Sequence, residues 1–439
     1  MAGYEDFVNL SYKPKPSDLL VSFKVKVPSW STPKRAYGAV ASESSVGTWA
    51  KVVGSKYKHV KDVAGKVYHA EKNGWIQIAY PYKHFELGNM PQILASVAGN
   101  VFGMKAVDAL RLQDIRWPQE LVKSFSGPQF GIDGIRKIFK EKKRPLLLSV
   151  PKPKVGMTTK EHAQIGYDIW TGGLDLLKDD ENLSNQTFNP FTDRVKLSLK
   201  MRDKAEKETG EKKGYLINVT SNTASELKKR IKFVADQGNE FVMYDICAGG
   251  WTGVGTVREL CEEYGLAIHA HRAFHGAFTR NLNHGMSMLV VAEIARLLGV
   301  DSLHVGTVNI GKLVGTKDEV LEIEDRITSR KKTPATTKTT SRNTFSQDFS
   351  VLKPVFPVSS GGLHPGLLSR ILDEMGTNIM LQIGGGCHGH PKGSHYGALA
   401  CRQAVDAYMK GIDVDDYAHE IKSKALLEAL KTWGHEKTR

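Results

Sequence analysis

The chain has 439 residues, 41% of them apolar, which suits either two domains or one small domain and one large barrel. It has no run of about 18 apolar residues and no basic-then-apolar N-terminus, so we expect a cytoplasmic protein with no membrane partner. The formal charge of +14 would suit nucleic acid. Its basic residues are spread widely, however, so we expect a solvated basic surface and no nucleic-acid partner. The four cysteines form no CxxC pair, which excludes a zinc site of that kind.

Residues 1–125 are predicted to form a small α+β domain. Residues 20–27 alternate in strand fashion, residues 75–80 form a second apolar run, and residues 91–103 are predicted to be helical. A Gly- and Pro-containing connector at residues 125–128 predicts the domain boundary.

Residues 126–439 have a different pattern, in which short apolar runs mostly alternate with amphipathic helical stretches. The runs lie at residues 145–151, 174–177, 215–220, 241–246, 266–271, 302–306, 355–360 and 379–383. The helical stretches include residues 225–236, 257–264 and 286–298. Alternating strands and helices predict a parallel sheet, and eight such units favour a closed (β/α)8 TIM barrel. The Ser-, Thr- and Lys-rich segment 328–350 is predicted to be a surface insertion or partly disordered.

Polar and glycine residues follow six of the eight predicted strands, where a barrel enzyme has its active site. They are Lys152 and Lys154; Lys178, Asp180 and Glu181; His269, His271 and Arg272; His304; Ser360, Gly361 and Gly362; and Gly384, Gly385 and Gly386. Taken singly, these are explained as solvated charges at Lys152 and Lys154, a paired lysine at Lys178, hydrogen-bonded core histidines or plain turns, and His269 with His271 also fits a metal pair. Taken together, they favour one active site.

The segment Gly172-Gly173-Leu174-Asp175-Leu176-Leu177-Lys178-Asp179-Asp180-Glu181-Asn182 ends an apolar run in one lysine and three acids. On a strand, Lys178 and Asp180 share a face, and Asp180 with Glu181 suits Mg²⁺. An amine that has reacted with CO₂ becomes a carbamate, which would add a third ligand; the alternative is a lysine paired with its neighbours. The acids are expected to raise the pKa of Lys178, so that metal binding must help to drive carbamate formation.

The remaining strand ends predict a sugar substrate with a phosphate at each end. Glycine turns at residues 361–362 and 384–386 expose backbone N–H groups to one phosphate, and Arg272 with His304 is predicted to hold the other. A metal that polarises the sugar carbonyl, together with a base, would remove the proton α to that carbonyl.

Over nearly its whole length the chain resembles the large subunit of ribulose-1,5-bisphosphate carboxylase/oxygenase (Rubisco). The resemblance rests on segment 172–182, on Lys152-Pro153-Lys154, on residues 269–275, and on Gly311-Lys312-Leu313 as the mobile loop. It also rests on Ser360-Gly361-Gly362 and Gln382-Ile383-Gly384-Gly385-Gly386 as phosphate-binding turns. In the first domain, residues 43–49 and 99–103 resemble segments that the family contributes to a neighbouring subunit's active site.

The resemblance implies an α/β protein in which a ferredoxin-like α+β domain precedes the barrel. It implies carboxylation, and oxygenation by O₂, of D-ribulose 1,5-bisphosphate through a Mg²⁺-bound enediolate, with an activator CO₂ on Lys178. The implied catalytic residues are Lys152, Lys178, His271 and Lys312, and the implied metal ligands are Lys178 as the carbamate, Asp180 and Glu181. The implied substrate-binding residues are Lys154, Arg272, His304, Ser360, Gly361, Gly362, Gln382, Gly384, Gly385, Glu43, Thr48, Trp49 and Asn100.

The resemblance further implies a homodimer with shared active sites, with or without assembly into rings, and no small subunit. Val150-Pro151-Lys152 departs from the plant-type sequence, and the loop at residues 306–312 is one residue longer, as in the archaeal form III branch. In that branch the pathway is nucleotide (AMP) salvage. The alternative is a Rubisco-like enolase or isomerase without carboxylation, which typically lacks parts of the lysine and loop motifs that are present here.

Overall fold

The computed structural model describes residues 3–48, 50, 52–312, 315–335, 337–338 and 342–437. Its strands are β1 Asp18–Lys26, β2 Lys66–Ala70, β3 Trp75–Pro81, β4 Ala109–Arg116, β5 Leu146–Ser149, β6 Leu176–Lys178, β7 Gly214–Asn218, β8 Phe241–Asp245, β9 Ala267–His271, β10 Gly285–Met286, β11 Ser302–His304, β12 Thr337–Lys338, β13 Arg342–Asn343, β14 Phe356–Ser360 and β15 Met380–Ile383.

Its α-helices are α1 Pro33–Glu43, α2 Lys58–Asp62, α3 Met90–Val97, α4 Gln119–Val122, α5 Gly131–Phe139, α6 Thr159–Thr171, α7 Phe191–Thr209, α8 Ala224–Asp236, α9 Ile246–Gly249, α10 Trp251–Tyr264, α11 Gly276–Thr279, α12 Met288–Leu298, α13 Lys317–Thr328, α14 Leu368–Met375, α15 Gly385–His388, α16 Ser394–Lys410, α17 Val414–Glu420 and α18 Lys424–Trp433. Among the described residues, none of these helices is long and apolar enough to cross a membrane.

The chain divides into two compact units, each built from three stretches of sequence. The first consists of Met1–Gly127, Phe274–Leu298 and Ser329–Leu352, and the second of Pro128–Ala273, Gly299–Thr328 and Lys353–Arg439.

The first unit contains a five-stranded sheet in the order β10-β4-β1-β3-β2. Strands β1 to β4 pair antiparallel and follow one another along the chain with α1 and α3 in the order β-α-β-β-α-β, which is the expected ferredoxin-like arrangement. The predicted strands at 20–27 and 75–80 are β1 and β3, and the predicted helix at 91–103 is α3 followed by a 3₁₀ turn. Strands β2 and β4 are additional to the prediction, and β4 buries Arg111, Gln113 and Asp114, which conceals its alternation.

The segment 328–350 is packed within the first unit where its second half is described, so the prediction of a surface insertion is wrong there. The Phe345 N–H donates to Asp114 Oδ2 at 2.6 Å, and the Trp117 N–H donates to Gln347 Oε1 at 2.8 Å. Phe349 is 2% exposed. The polar groups of this segment are buried because they find tertiary partners, which composition does not reveal.

The second unit contains a closed barrel of eight parallel strands, in the order β11-β14-β15-β5-β6-β7-β8-β9. Each of the eight predicted runs contains or overlaps one of these strands, so the predicted (β/α)8 barrel is confirmed. The predicted helices at 225–236 and 257–264 are α8 and α10, and the one at 286–298 is α12 of the first unit.

The interior face of the barrel is mainly apolar near the strand starts and polar at the strand ends. Near the strand starts, residues such as Leu176 and Phe241 form one buried cluster with Ile132, Ile135 and Phe139 of α5. Because side chains on one strand face recur every second residue, the same interior face continues to polar groups at the strand ends. These groups are Lys178, Asn218, Asp245, His271, His304, Ser360 and Gln382.

Candidate active site

A cavity of about 520 Å³ lies at the carboxyl ends of the barrel strands. It is lined by Val150, Lys152, Lys154, Asp180, Glu181, His271, Lys312, Ser360, Gly361, Gly362, Leu363, His364, Gln382, Gly384, Gly385, Gly386 and Trp433. A pocket of this size accommodates a small phosphorylated sugar.

A second cavity of about 450 Å³ has Arg144, Asp175, Glu206 and Lys212 among its lining residues. These charges already pair with one another, Arg144 Nη2 with Asp175 Oδ1 at 2.6 Å and Lys212 Nζ with Glu206 Oε1 at 3.1 Å. The first cavity is the candidate active site, because it lies at the carboxyl ends of the barrel strands and is lined by glycine turns as well as by charged groups.

Lys178 is fully buried at the end of β6. Its Nζ donates to the Asp179 carbonyl oxygen at 2.7 Å and lies 3.9 Å from Glu181 Oε2. Burial lowers the pKa of Lys178 from its usual value of 10.5, although Glu181, Asp245 and the other nearby acids act in the opposite direction. The acids do act to raise this pKa, as expected, but its net shift is downward because removing the ammonium from water outweighs their attraction.

Asp180 and Glu181 each face a lysine from the end of β5. Lys152 Nζ lies 3.0 Å from Asp180 Oδ2, and Lys154 Nζ lies 3.7 Å from Glu181 Oε1. Burial alone would raise the pKa of both carboxyls. Hydrogen bonds from Asn182 and the Lys152 charge lower the pKa of Asp180 instead, and the charges of His271 and Lys178 lower that of Glu181. Both side chains are therefore anionic at neutral pH.

These two carboxylates fit a magnesium site. Mg²⁺ is commonly held by one or two carboxylates, with water and substrate oxygens completing its shell. Within the described ranges no group of three His, Cys, Asp or Glu residues could hold a metal ion. Lys178 Nζ, 3.9 Å from Glu181 Oε2, is placed to supply a third protein ligand as a carbamate.

The glycine turns meet the loop that carries Lys312. The Lys312 N–H donates to the Gly361 carbonyl at 3.0 Å. A Cβ on Gly311 would lie 2.0 Å from that same carbonyl oxygen, so only glycine permits the approach. The buried Gln382 Oε1 and His364 Nδ1 have no hydrogen-bond partner among the described residues, which favours a polar ligand in this cavity.

Two family descriptions match most of the chain. Residues 131–433 match the family described as ribulose bisphosphate carboxylase large chain, catalytic domain, and residues 6–121 match its N-terminal domain. The chain belongs to the ribulose bisphosphate carboxylase large-chain family.

Ribulose bisphosphate carboxylases from archaea are similar to it over their whole length. That of Methanosarcina mazei is 44% identical, with 98% of this chain and 99% of the relative covered. That of Methanocaldococcus jannaschii is 45% identical, with 98% and 100% covered. The solved dimeric archaeal Rubisco from Hyperthermus butylicus has a TM-score of 0.92 at 45% identity, with 98% and 99% covered. The octameric Rubisco from Pyrococcus horikoshii has a TM-score of 0.89 at 43% identity, with 99% and 98% covered.

Some residues implied by the Rubisco resemblance are not in the cavity wall. Lys178, Arg272 and His304 are buried and are not lining residues, and burial lowers the pKa of Arg272 to about 10. Glu43, Thr48 and Asn100 belong to the first unit, and Trp49 lies outside the described residues. The roles of all of these remain predictions.

The structure adds Asp245 to the Rubisco-type site. His271 lies between two carboxylates, with its Nδ1 3.2 Å from Asp245 Oδ1 and its Nε2 3.6 Å from Glu181 Oε2. Burial lowers the pKa of His271, the nearby Lys178 charge lowers it further, and Asp245 opposes both. Asp245 is the last residue of β8, where no site residue is predicted from the sequence. The available signal was its position two residues after Met243, which places both side chains on the interior face of the barrel.

Proposed function

We propose that this enzyme converts D-ribulose 1,5-bisphosphate, CO₂ and water into two molecules of 3-phosphoglycerate, with O₂ as a competing substrate. The observation that carries the proposal is the buried Lys178, with its lowered pKa, beside two anionic carboxylates at a cavity that also holds Lys152 and Lys312. The archaeal relatives are ribulose bisphosphate carboxylases, which supports the same reaction.

Activation begins at Lys178. Its lowered pKa increases the neutral fraction of the amine, whose nitrogen attacks CO₂ and releases one proton to form the carbamate. Asp180, Glu181 and this carbamate would hold Mg²⁺, which supplies polarisation of the sugar carbonyl and stabilises the negative charge that develops on its oxygen.

The chain's own residues then move the protons. The carbamate of Lys178 takes the proton from C3 of the substrate, and the resulting enediolate attacks substrate CO₂ through C2. Lys312 contacts the new carboxylate, water adds to C3, and the C2–C3 bond breaks. Lys152 protonates the C2 carbanion, and His271 is the proposed proton relay at this site.

The cavity wall binds the rest of the substrate. Backbone N–H groups at residues 361–362 and 384–385 bind one phosphate, with Ser360, Gln382 and Lys154 as further contacts. Arg272 serves the other phosphate. Both ring nitrogens of His304 already have partners, His269 and Ser360, so His304 acts on the substrate through Ser360. Glu43, Thr48, Trp49 and Asn100 complete the site of a second subunit, so the working form is a homodimer, alone or as part of a larger assembly, without a small subunit. We place the reaction in nucleotide salvage, on the likeness to archaeal enzymes.

The deciding experiment is fixation of labelled CO₂ after incubation with Mg²⁺ and CO₂. The wild type should yield labelled 3-phosphoglycerate, Lys178→Ala should not, and the exposed Lys160→Ala should behave as the wild type. Exchange of the C3 hydrogen with solvent deuterium, measured in parallel, reports enolisation alone. Exchange without labelled product would overturn carboxylation and establish the enolase or isomerase alternative.

A further inference from the structure

Four buried side chains of the barrel form one continuous hydrogen-bonded chain. Ser302 Oγ lies 2.9 Å from His269 Nδ1, His269 Nε2 lies 3.0 Å from His304 Nε2, and His304 Nδ1 lies 2.7 Å from Ser360 Oγ. Of the four, only Ser360 lines the cavity. The chain therefore joins the cavity to the start of β11.

Both imidazoles in this chain are neutral. Burial lowers the pKa of His269 and of His304 well below the usual value, and the surrounding positive groups lower both further. A neutral imidazole donates from one nitrogen and accepts at the other, so the two rings must be protonated in a matched way. The Nε2 to Nε2 contact then allows two directions of donation, and only two.

The two directions of donation differ in which serine hydroxyl is left without an acceptor. If Ser360 donates to His304, donation runs toward Ser302, whose own O–H is then left without an acceptor at a site 2% exposed. If Ser302 donates to His269, then His269 Nε2–H donates to His304 and His304 Nδ1–H donates to Ser360. Every polar hydrogen of the four side chains then has an acceptor except that of the Ser360 O–H, which faces the cavity. The Ser302 hydroxyl has no hydrogen-bond partner besides His269 among the described residues. Leaving a buried donor without an acceptor costs free energy of folding.

We propose that Ser302 and His269 are positioning residues that fix His304 as its Nδ1–H tautomer, so that Ser360 presents its O–H hydrogen to the cavity. Ser360 thereby selects an oxygen of the substrate that accepts a hydrogen bond, such as a phosphate, carbonyl or enolate oxygen, and disfavours a hydroxyl that must donate. The tautomers rest on the contacts and burial of these four side chains, whereas their effect on substrate rests on the proposed function.

The direct test is nuclear magnetic resonance of the enzyme carrying ¹⁵N-labelled histidine, without substrate. Long-range ¹H–¹⁵N correlations distinguish the two tautomers, and the variants His269→Gln and His304→Gln assign the signals. We expect Nε2–H on His269 and Nδ1–H on His304. The opposite tautomers, or a protonated ring on either residue, overturn the proposal. This readout needs no turnover, so its failure is distinct from failure of the carboxylase assay.

A matched pair of serine variants tests the direction of donation. Ser302→Ala removes the donor that sets it, so the two histidine signals should become tautomer mixtures. The KM for ribulose 1,5-bisphosphate should rise about fivefold with a smaller change in kcat. Ser359→Ala removes a fully buried hydroxyl that has no partner among the described residues, and it should change neither readout. Unchanged tautomers in Ser302→Ala would overturn the assignment of Ser302.

Discussion

Tyr215 donates a hydrogen bond from its Oη to Asp179 Oδ1 at 2.5 Å, on the helix side of β6. His162 of α6 and Arg194 of α7 lie 3.4 Å from the same carboxylate. Burial alone would raise the pKa of Asp179, but Arg194, His162 and Tyr215 lower it to about 2. Because successive residues alternate, a carboxylate held among the helices directs Lys178 and Asp180 toward the barrel interior.

The first prediction concerns this anchored carboxylate. Asp179→Asn keeps its shape but leaves the Arg194 guanidinium buried without a counter-charge, so the free energy of unfolding should fall by about 3 kcal/mol. Denaturant unfolding measures it. The control is Asp203→Asn, where the carboxylate is 56% exposed and pairs with Arg202, and the change should stay within about 1 kcal/mol. Equal effects in the two variants would contradict an anchoring role.

The same carboxylate predicts a pH dependence. The folded-state pKa of Asp179, about 2, lies below its usual value of 3.8, so its contribution is fully present above pH 3.8 and is lost as the pH falls through about 2. The difference in unfolding free energy between wild type and Asp179→Asn should therefore narrow between pH 4 and pH 2. A constant difference across that range would show that the carboxylate is not the source of the stability.

A further prediction concerns activation at Lys178. At a fixed concentration of dissolved CO₂, the rate of activation should rise with pH and reach its plateau below pH 10.5. The reason is that burial lowers the pKa of this amine from its usual value of 10.5. Activation is measured as the return of carboxylation after CO₂ and Mg²⁺ are restored to the depleted enzyme. A midpoint at or above pH 10.5 would mean that the acids, rather than burial, dominate.

The two lysines after β5 should separate turnover from binding. Lys152→Gln removes the proposed proton donor to the C2 carbanion, so kcat should fall about 10² to 10⁴-fold. Lys154→Gln removes a charge proposed to contact a phosphate, so the KM should rise about tenfold while kcat changes less. Steady-state kinetics measure both. Similar kcat losses in the two variants would refute this division of roles.

Period-two alternation and strand spacing are local properties, and they predict much of this molecule. They place the eight barrel strands and bring Lys152, Asp180, Glu181 and His271 to one cavity. What they miss depends on tertiary partners. The sign of the Lys178 pKa shift depends on how completely the fold removes water from the amine, and the roles of Asp179 and Asp245 depend on helices and strands distant in sequence.

The packing of segment 328–350 has the same explanation. Most of its residues are polar, and composition predicts exposure for such residues. They are buried because Asp114 and Trp117 of the β4 region supply hydrogen-bond partners. The sequence shows that Gln347 is polar, but its hydrogen-bond partner is known only from the structure.

Neighbouring glycines at the start of α15 give the last prediction. A Cβ on Gly385 meets no atom within 4 Å, so Gly385→Ala should fold normally, yet its methyl group projects where the phosphate is proposed to bind and should raise the KM about tenfold. A Cβ on Gly386 would lie 2.2 Å from the Leu363 carbonyl oxygen, so Gly386→Ala should lose about 2 kcal/mol of unfolding free energy. Thermal unfolding and substrate kinetics on both variants separate the effects. An unchanged KM in Gly385→Ala would contradict phosphate binding at this turn, because the added methyl group contacts no other atom.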